Sequence, residues 1–230
     1  VPAHLASLEA AVAGSPDVEA ANAALVRVRD VLWAVSRDRL GTFAGVTSLR
    51  QDRPVPSDAG LAVLLSAQQA LSALDRLEVR GRDSAGLQVT VWNHGIDQHD
   101  PEVVARSADP LHRSGSVRVL DGGGLAFVVK ASAEIGELGD NTAVLRSALV
   151  ADGLLARALA APAVQGSLLG HTRWASVGLI SEPNAHPVDS TRADGELVPL
   201  VTVVQNGDVD NHADLAASEG LSLAPEITTD

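Results

Sequence analysis

The 230-residue sequence contains no cysteine and no methionine, and only 2% of it is aromatic. Without cysteine there is neither a disulfide framework nor a thiolate zinc site. Without methionine there is no initiator, so the residues are expected to belong to a longer translation product. The scarcity of aromatics means that a core must be built from Val, Leu and Ala, for which the 46% apolar content is sufficient. Clustered Lys and Arg are missing too. A net charge of -12 and a pI near 4.9 argue against a polyanion such as nucleic acid as partner. No apolar run approaches the ~20 residues of a membrane-spanning helix, and no charged-then-apolar segment opens the chain. A soluble, cytoplasmic protein with no membrane partner is therefore expected.

Read in order, Leu5 to Val12 can form a short helix. Ser15-Pro16 then offers an N-cap followed by proline at the first helical position. Leu25, Val28, Leu32 and Val35 recur at helical spacing, and Gly41 to Pro56 reads as a loop. A second long helix is predicted from Ser57-Asp58, with Leu61, Leu64, Leu65, Leu71 and Leu74 on one face. Leu87 to Trp92 alternates as a strand, and Ser116 to Leu120 and Leu125 to Ala131 form a hairpin around Asp121-Gly122-Gly123-Gly124. That glycine run is no phosphate loop, because no Lys-Ser/Thr helix follows it. Asp140-Asn141-Thr142 starts a helix carried through Val144 to Ala160. Strands over 168–175 and 200–204, a helix from about Val209 to Ser218 and a strand entering at Ile227 complete the pattern. Such a mixture of antiparallel hairpins and covering helices fits an α+β domain. His94, His99 and His112 match no compact ligand spacing, so neither a metal nor a cofactor is expected.

Two segments carry chemistry. In HTRWASVGLISEPNAH, over 171–186, Arg173 ends an apolar strand that includes Leu168 and Leu169. An unpaired guanidinium is costly there, so Arg173 should face an anion, either a ligand's carboxylate or a structural ion-pair partner. In VVQNGDVDNH, the strand ends at Asn206-Gly207. This pair is either a plain turn or a place where a positive φ lets backbone N–H groups meet a ligand, the shape of an oxyanion hole. Arg80-Gly81-Arg82-Asp83-Ser84-Ala85-Gly86 makes a helix-to-strand turn that needs glycine in any case.

In this order and spacing, RLEVRGRDSAG, HTRWAS, SEPNAHP and VVQNGDVDNHADL resemble the motif series of the class II glutamine amidotransferases, most closely their glucosamine-forming branch. The resemblance covers about residues 61–230. It implies the αββα four-layer sandwich of the N-terminal nucleophile hydrolases, with 58–230 as a partial amidotransferase domain and 1–57 as a helical hairpin insertion. Arg173 would clamp the α-carboxylate of L-glutamine, and Asp230 would bind its ammonium group. The Asn206 side chain and the Gly207 N–H would form the oxyanion hole, while Trp174, Ser176 and His186 shape the pocket. Arg80 and Asp83 would pair to brace the turn that holds the nucleophile.

That nucleophile is, in the family, an N-terminal cysteine whose own α-amino group serves as base, so no His/Asp pair is required. The sequence begins Val1-Pro2 and holds no thiol, so the chain alone is expected to bind glutamine without hydrolysing it. Ser176 and Val177 stand where the family has Thr and His, and Gln205 replaces a His before Asn206. The function implied is release of ammonia from glutamine for a sugar phosphate such as fructose 6-phosphate, bound by a C-terminal isomerase-type domain outside this chain, in a homo-oligomer. The alternative is a catalytically silent domain of the same fold, used for ligand sensing or assembly.

Overall fold

The computed structural model describes residues 2–50, 55–132, 137–190, 201–221 and 223–229. They fall into two compact units, Val1–Thr47 and Ser48–Asp230. In the first, α1 (Pro2–Ala13) packs against α2 (Val18–Trp33), and the Glu9–Arg29 ion pair at 2.6 Å joins them. The cap of α2 is Asp17, not Ser15: its carboxylate accepts from the Ala20 N–H at 3.0 Å. A full negative charge suits a helix N-terminus better than a hydroxyl, so Pro16 is left outside the helix. On the predicted apolar stripe Leu25 is buried, whereas Val28 and Val35 are exposed. The chain passes through a π-helical segment, Ala34–Arg39, into α3 (Leu40–Leu49). Much of the predicted 41–56 loop is therefore helical, the ~1 kcal/mol that each glycine costs a helix being too small to prevent it.

In the second unit, α4 (Asp58–Leu77) starts where predicted. Ser57 Oγ accepts from the Gly60 N–H at 2.9 Å and donates to the Ala161 carbonyl at 2.7 Å, so the cap also ties the helix to a distant turn. Val63, Leu64, Ala67, Leu71 and Leu74 are buried, each large one worth about 1.5–3 kcal/mol on removal from water. Then follow β1 (Ser84–Trp92), α5 (Pro101–Ser107), β2 (Val117–Val119), β3 (Leu125–Ser132), α6 (Asp140–Ala151), α7 (Gly153–Leu159) and β4 (Gln165–Arg173). The predicted single helix over 144–160 is thus two. Asp152 breaks it because its carboxylate is engaged twice, capping α7 at Leu155 N (2.9 Å) and holding Arg106 at 2.6 Å. The chain ends with β5 (Val188–Asp189), β6 (Thr202–Val203) and α8 (His212–Ser218). Residues 191–200, which include the start of the predicted 200–204 strand, lie outside the described residues. Ile227 opens no strand, its N–H closing a turn onto the Ala224 carbonyl instead.

Four strands form one antiparallel sheet in the order β2-β3-β1-β4, and β5 pairs with β6 separately. Helices α4 and α6 touch each other and lie on one face of the large sheet, against β4 and β3. Leu87, Val89 and Val91 point to that face, as strand alternation requires, while Gly86, Gln88 and Thr90 take the opposite one. Lys130 and Val128 stand across from Gly86 and Gln88, so this second face is polar yet buried. Residues 186–187 cover part of it: a Cβ on Gly86 would lie 2.1 Å from the His186 carbonyl oxygen. The fold is therefore α+β, a four-stranded antiparallel sheet with helices on one face.

The buried carboxylate of Glu78 organises a corner that local patterns do not show. It accepts from Gly139 N (2.5 Å), Thr142 N (2.7 Å) and Thr142 Oγ1 (2.6 Å), and so caps α6 from outside. Gly139, the N-cap residue itself, has no side chain to do this.

Candidate active-site cleft

At the end of β4 a cleft of about 230 Å³ opens, lined by Arg80, His171–Trp174, Ser176, His186, Gln205–Asp208 and Thr229. It brings together Arg173, Trp174, Ser176, His186, Asn206, Gly207 and Arg80. Asp230 lies outside the described residues.

Arg173, 6% exposed, is held in register opposite Ser84 of β1. Its guanidinium donates to the Val177 and Leu179 carbonyls and, at 3.3 Å, to Thr229 Oγ1. The side chain thus organises the 175–179 loop as well as the cleft wall. Asp83 tightens the same loop, accepting from the Ala175 N–H at 2.7 Å. Among the described residues no ion pair joins Asp83 to Arg80, which lines the cleft instead. Turn bracing therefore runs from Asp83 to the backbone rather than to an arginine.

The opposite wall follows β6. Gly207 has φ of +130°, a backbone conformation that strains any residue with a Cβ, and Asn206 beside it is exposed. Ser176 Oγ donates to Asp208 Oδ1 at 2.5 Å and so links the two walls. Trp174, 66% exposed, stands at the rim. The His171 and His186 rings meet edge-on with centroids 4.8 Å apart. Burial holds His171 below its ordinary pKa and the nearby Arg173 charge adds to this, while a backbone hydrogen bond to Gln205 opposes it.

Four contributors were not picked out from sequence: His171, Asp208, Thr229 and Asn184. A signal existed for His171, which sits two residues before Arg173 on a strand and so shares its face. For Asn184 there was none. Fully buried, it accepts from the Thr228 and Thr229 N–H groups at 2.7 and 3.0 Å and donates to the Glu226 carbonyl at 3.0 Å. This one amide docks the 226–229 segment and sets Thr229 against Arg173.

An arginine, an Asn-Gly turn and a carboxylate lining one cleft suit a ligand carrying both a carboxylate and a polar group that takes on negative charge. Among the described residues no three His, Cys, Asp or Glu side chains stand together to hold a metal ion. His94 is engaged elsewhere, its Nε2 2.9 Å from the Gly123 carbonyl. Nor is any described helix long and apolar enough to cross a membrane.

Over 167 residues the chain is 33% identical to a glutamine–fructose-6-phosphate aminotransferase (isomerizing) of Pectobacterium atrosepticum. The likeness takes in 71% of this chain. It spans only 18% of the length of that relative. No family model matches the chain, and no solved structure matches it. The chain is thus similar to a portion of an aminotransferase of this kind.

Proposed function

We propose that the cleft is a glutamine site and that the chain is part of a glutaminase unit, releasing ammonia from L-glutamine for transfer to a sugar phosphate such as fructose 6-phosphate. The observation that carries this reading is the meeting of Arg173 with Asn206 and Gly207 in one cleft. The relative's name, which contains both glutamine and fructose 6-phosphate, points the same way. In this reading Arg173 takes the α-carboxylate and Asp230 the ammonium group. The Asn206 amide and the Gly207 N–H stabilise the oxyanion, each donor being worth about 3 kcal/mol in acyl transfer. His171, kept neutral by burial, adds no positive charge to compete for the carboxylate.

Hydrolysis needs a thiolate to attack the amide carbon, ammonia to leave and water to free glutamate. None of the 230 residues supplies a thiol, so the chain's own part is to bind and orient. The sugar phosphate, an isomerase-type domain and a homo-oligomer belong to the longer protein in this proposal. Residues 1–57 are an insertion in this reading. The second reading is a silent domain that senses glutamine or serves assembly.

Calorimetry with glutamine tests the site. Arg173→Ala should weaken binding by about 10- to 150-fold, the ~1.5–3 kcal/mol of a charge-assisted contact, with Arg173→Lys in between. No glutamine binding by the wild-type chain would refute the site. A version extended to begin Cys-Gly should turn glutamine into glutamate; binding without turnover in that protein would favour the silent domain.

A further inference from the structure

A second cavity, of about 180 Å³, opens on the polar face of the large sheet, lined by Lys130 of β3, His112, Val188 and Asp189 of β5, and by Leu111, Leu223 and Ile227. Lys130 is the only lysine among the chain's 17 Lys and Arg residues. It is 1% exposed, and among the described residues its Nζ has no hydrogen-bond partner. Among the described residues, the acids whose charges act on it are Asp189, Glu182 and Asp109, and each is engaged elsewhere. Asp189 accepts from Arg118 Nε at 2.7 Å, Asp109 from Arg113 and Ser116, and Glu182 from the Ser114 N–H. A buried ammonium without a partner is a standing demand for an anion.

His112 supplies a second unmet demand. It is 3% exposed, and among the described residues neither ring nitrogen has a hydrogen-bond partner. Its Nδ1 lies 3.2 Å from Asp189 Oδ2. No hydrogen bond forms at that contact, but the negative charge of Asp189 favours the tautomer with its hydrogen on Nδ1, which leaves Nε2 as an acceptor. Burial holds the ring neutral, its pKa lowered to about 3. Its backbone sits at φ of +48°, a region that non-glycine residues rarely occupy.

The geometry points to a binding site for a small 2-hydroxy carboxylate with a short apolar side chain. Lys130 Nζ donates to the carboxylate, His112 Nε2 accepts from the hydroxyl on the next carbon, and Leu111, Val188, Leu223 and Ile227 receive the side chain. A volume below the ~300 Å³ at which drug-sized ligands begin excludes nucleotides and peptides. The site does not rest on the glutamine reading, although Thr229 borders both cavities.

Because there is one lysine, a chain labelled with 15N-lysine yields a single side-chain Nζ signal by NMR. Titration with 2-hydroxy-3-methylbutanoate should shift that signal and saturate. The analogue without the hydroxyl, 3-methylbutanoate, should bind at least about 10-fold more weakly, since the acceptor on His112 is then left unpaired. By calorimetry Lys130→Met should bind the hydroxy acid no longer, yet keep its affinity for glutamine. Arg173→Ala should leave the hydroxy acid unaffected, which separates failure of this site from failure of the cleft. Val188→Phe, which fills the cavity and keeps the lysine, should abolish binding independently. An Nζ signal unmoved by millimolar hydroxy acid, equal binding by Lys130→Met, or equal affinity for the two acids would overturn the proposal.

Discussion

Gly86→Ala tests how the fold sets the cleft. The added Cβ would lie 2.1 Å from the His186 carbonyl oxygen, backbone that cannot swing aside as a side chain would. Restoring an ordinary carbon–oxygen contact of ~3.3 Å moves residues 186–187 away by roughly 1.2 Å. Overpacking of this kind costs about 1–3 kcal/mol, or roughly 2–12 °C of melting temperature for a unit of this size. The displacement also carries the His186 ring off its edge-on contact with His171 at the cleft wall. A shift near 1 Å at a positioned group can cost about 100-fold in activity, and glutamine affinity is expected to fall with stability. Gly153→Ala is the matched control. Nothing lies within 4 Å of its Cβ, and it stands at the start of α7, where alanine is the better helix former by up to ~1 kcal/mol. Thermal melts followed by circular dichroism, with calorimetry for glutamine, compare the two. Equal melting temperatures, or a Gly86→Ala protein with unchanged affinity, would refute the claim that residues 186–187 are seated by the bare backbone of β1.

Other expectations follow from buried polar groups. Glu78→Ala leaves the first N–H groups of α6 unpaired and should cost about 3–5 kcal/mol, read as a lower midpoint in urea; an unchanged midpoint would mean that α6 needs no external cap. Burial, its largest cause, depresses the Lys130 pKa from 10.5 to about 8. Between those values the unfolded chain binds more protons than the folded one, so this group makes stability rise with pH from about 8 to 10.5. Lys130→Met should remove that rise and be more stable at pH 7, and a pH series of urea midpoints checks both. His112, depressed from 6.5 to about 3 chiefly by burial, works in the same sense at lower pH, costing stability as pH falls through that window. Asn184→Ala should release the 226–229 segment, seen as faster amide exchange at Thr228 and Thr229.

Local chemistry was enough to read some elements. Ser57 followed by helically spaced leucines is α4, and an alternating run before a glycine-rich turn and another apolar run is a hairpin. It failed where a distant group decided the outcome. The helix over 140–159 breaks because Arg106 and the Leu155 N–H both claim Asp152. Ile227 looks like a strand residue but lies in a segment held by the Asn184 amide. In the cleft, the motif order pointed to Arg173, Asn206 and Gly207, while Asp208 and Thr229 entered only because their segments dock there.

By itself the sequence determined the secondary-structure periods, the α+β class and the set of chemically unusual residues, because propensity, alternation and capping act over a few neighbours. Only the tertiary structure decided which of those residues meet. Arg173 borders the cleft with Ser176 and Asp208 because β4 pairs along all of β1 and the 205–208 turn returns beside its end. Lys130 is buried because strand alternation turns it toward the face that residues 186–189 cover. The register of pairing and the layer that covers each face set burial, and burial makes a common side chain into a group with something left to bind.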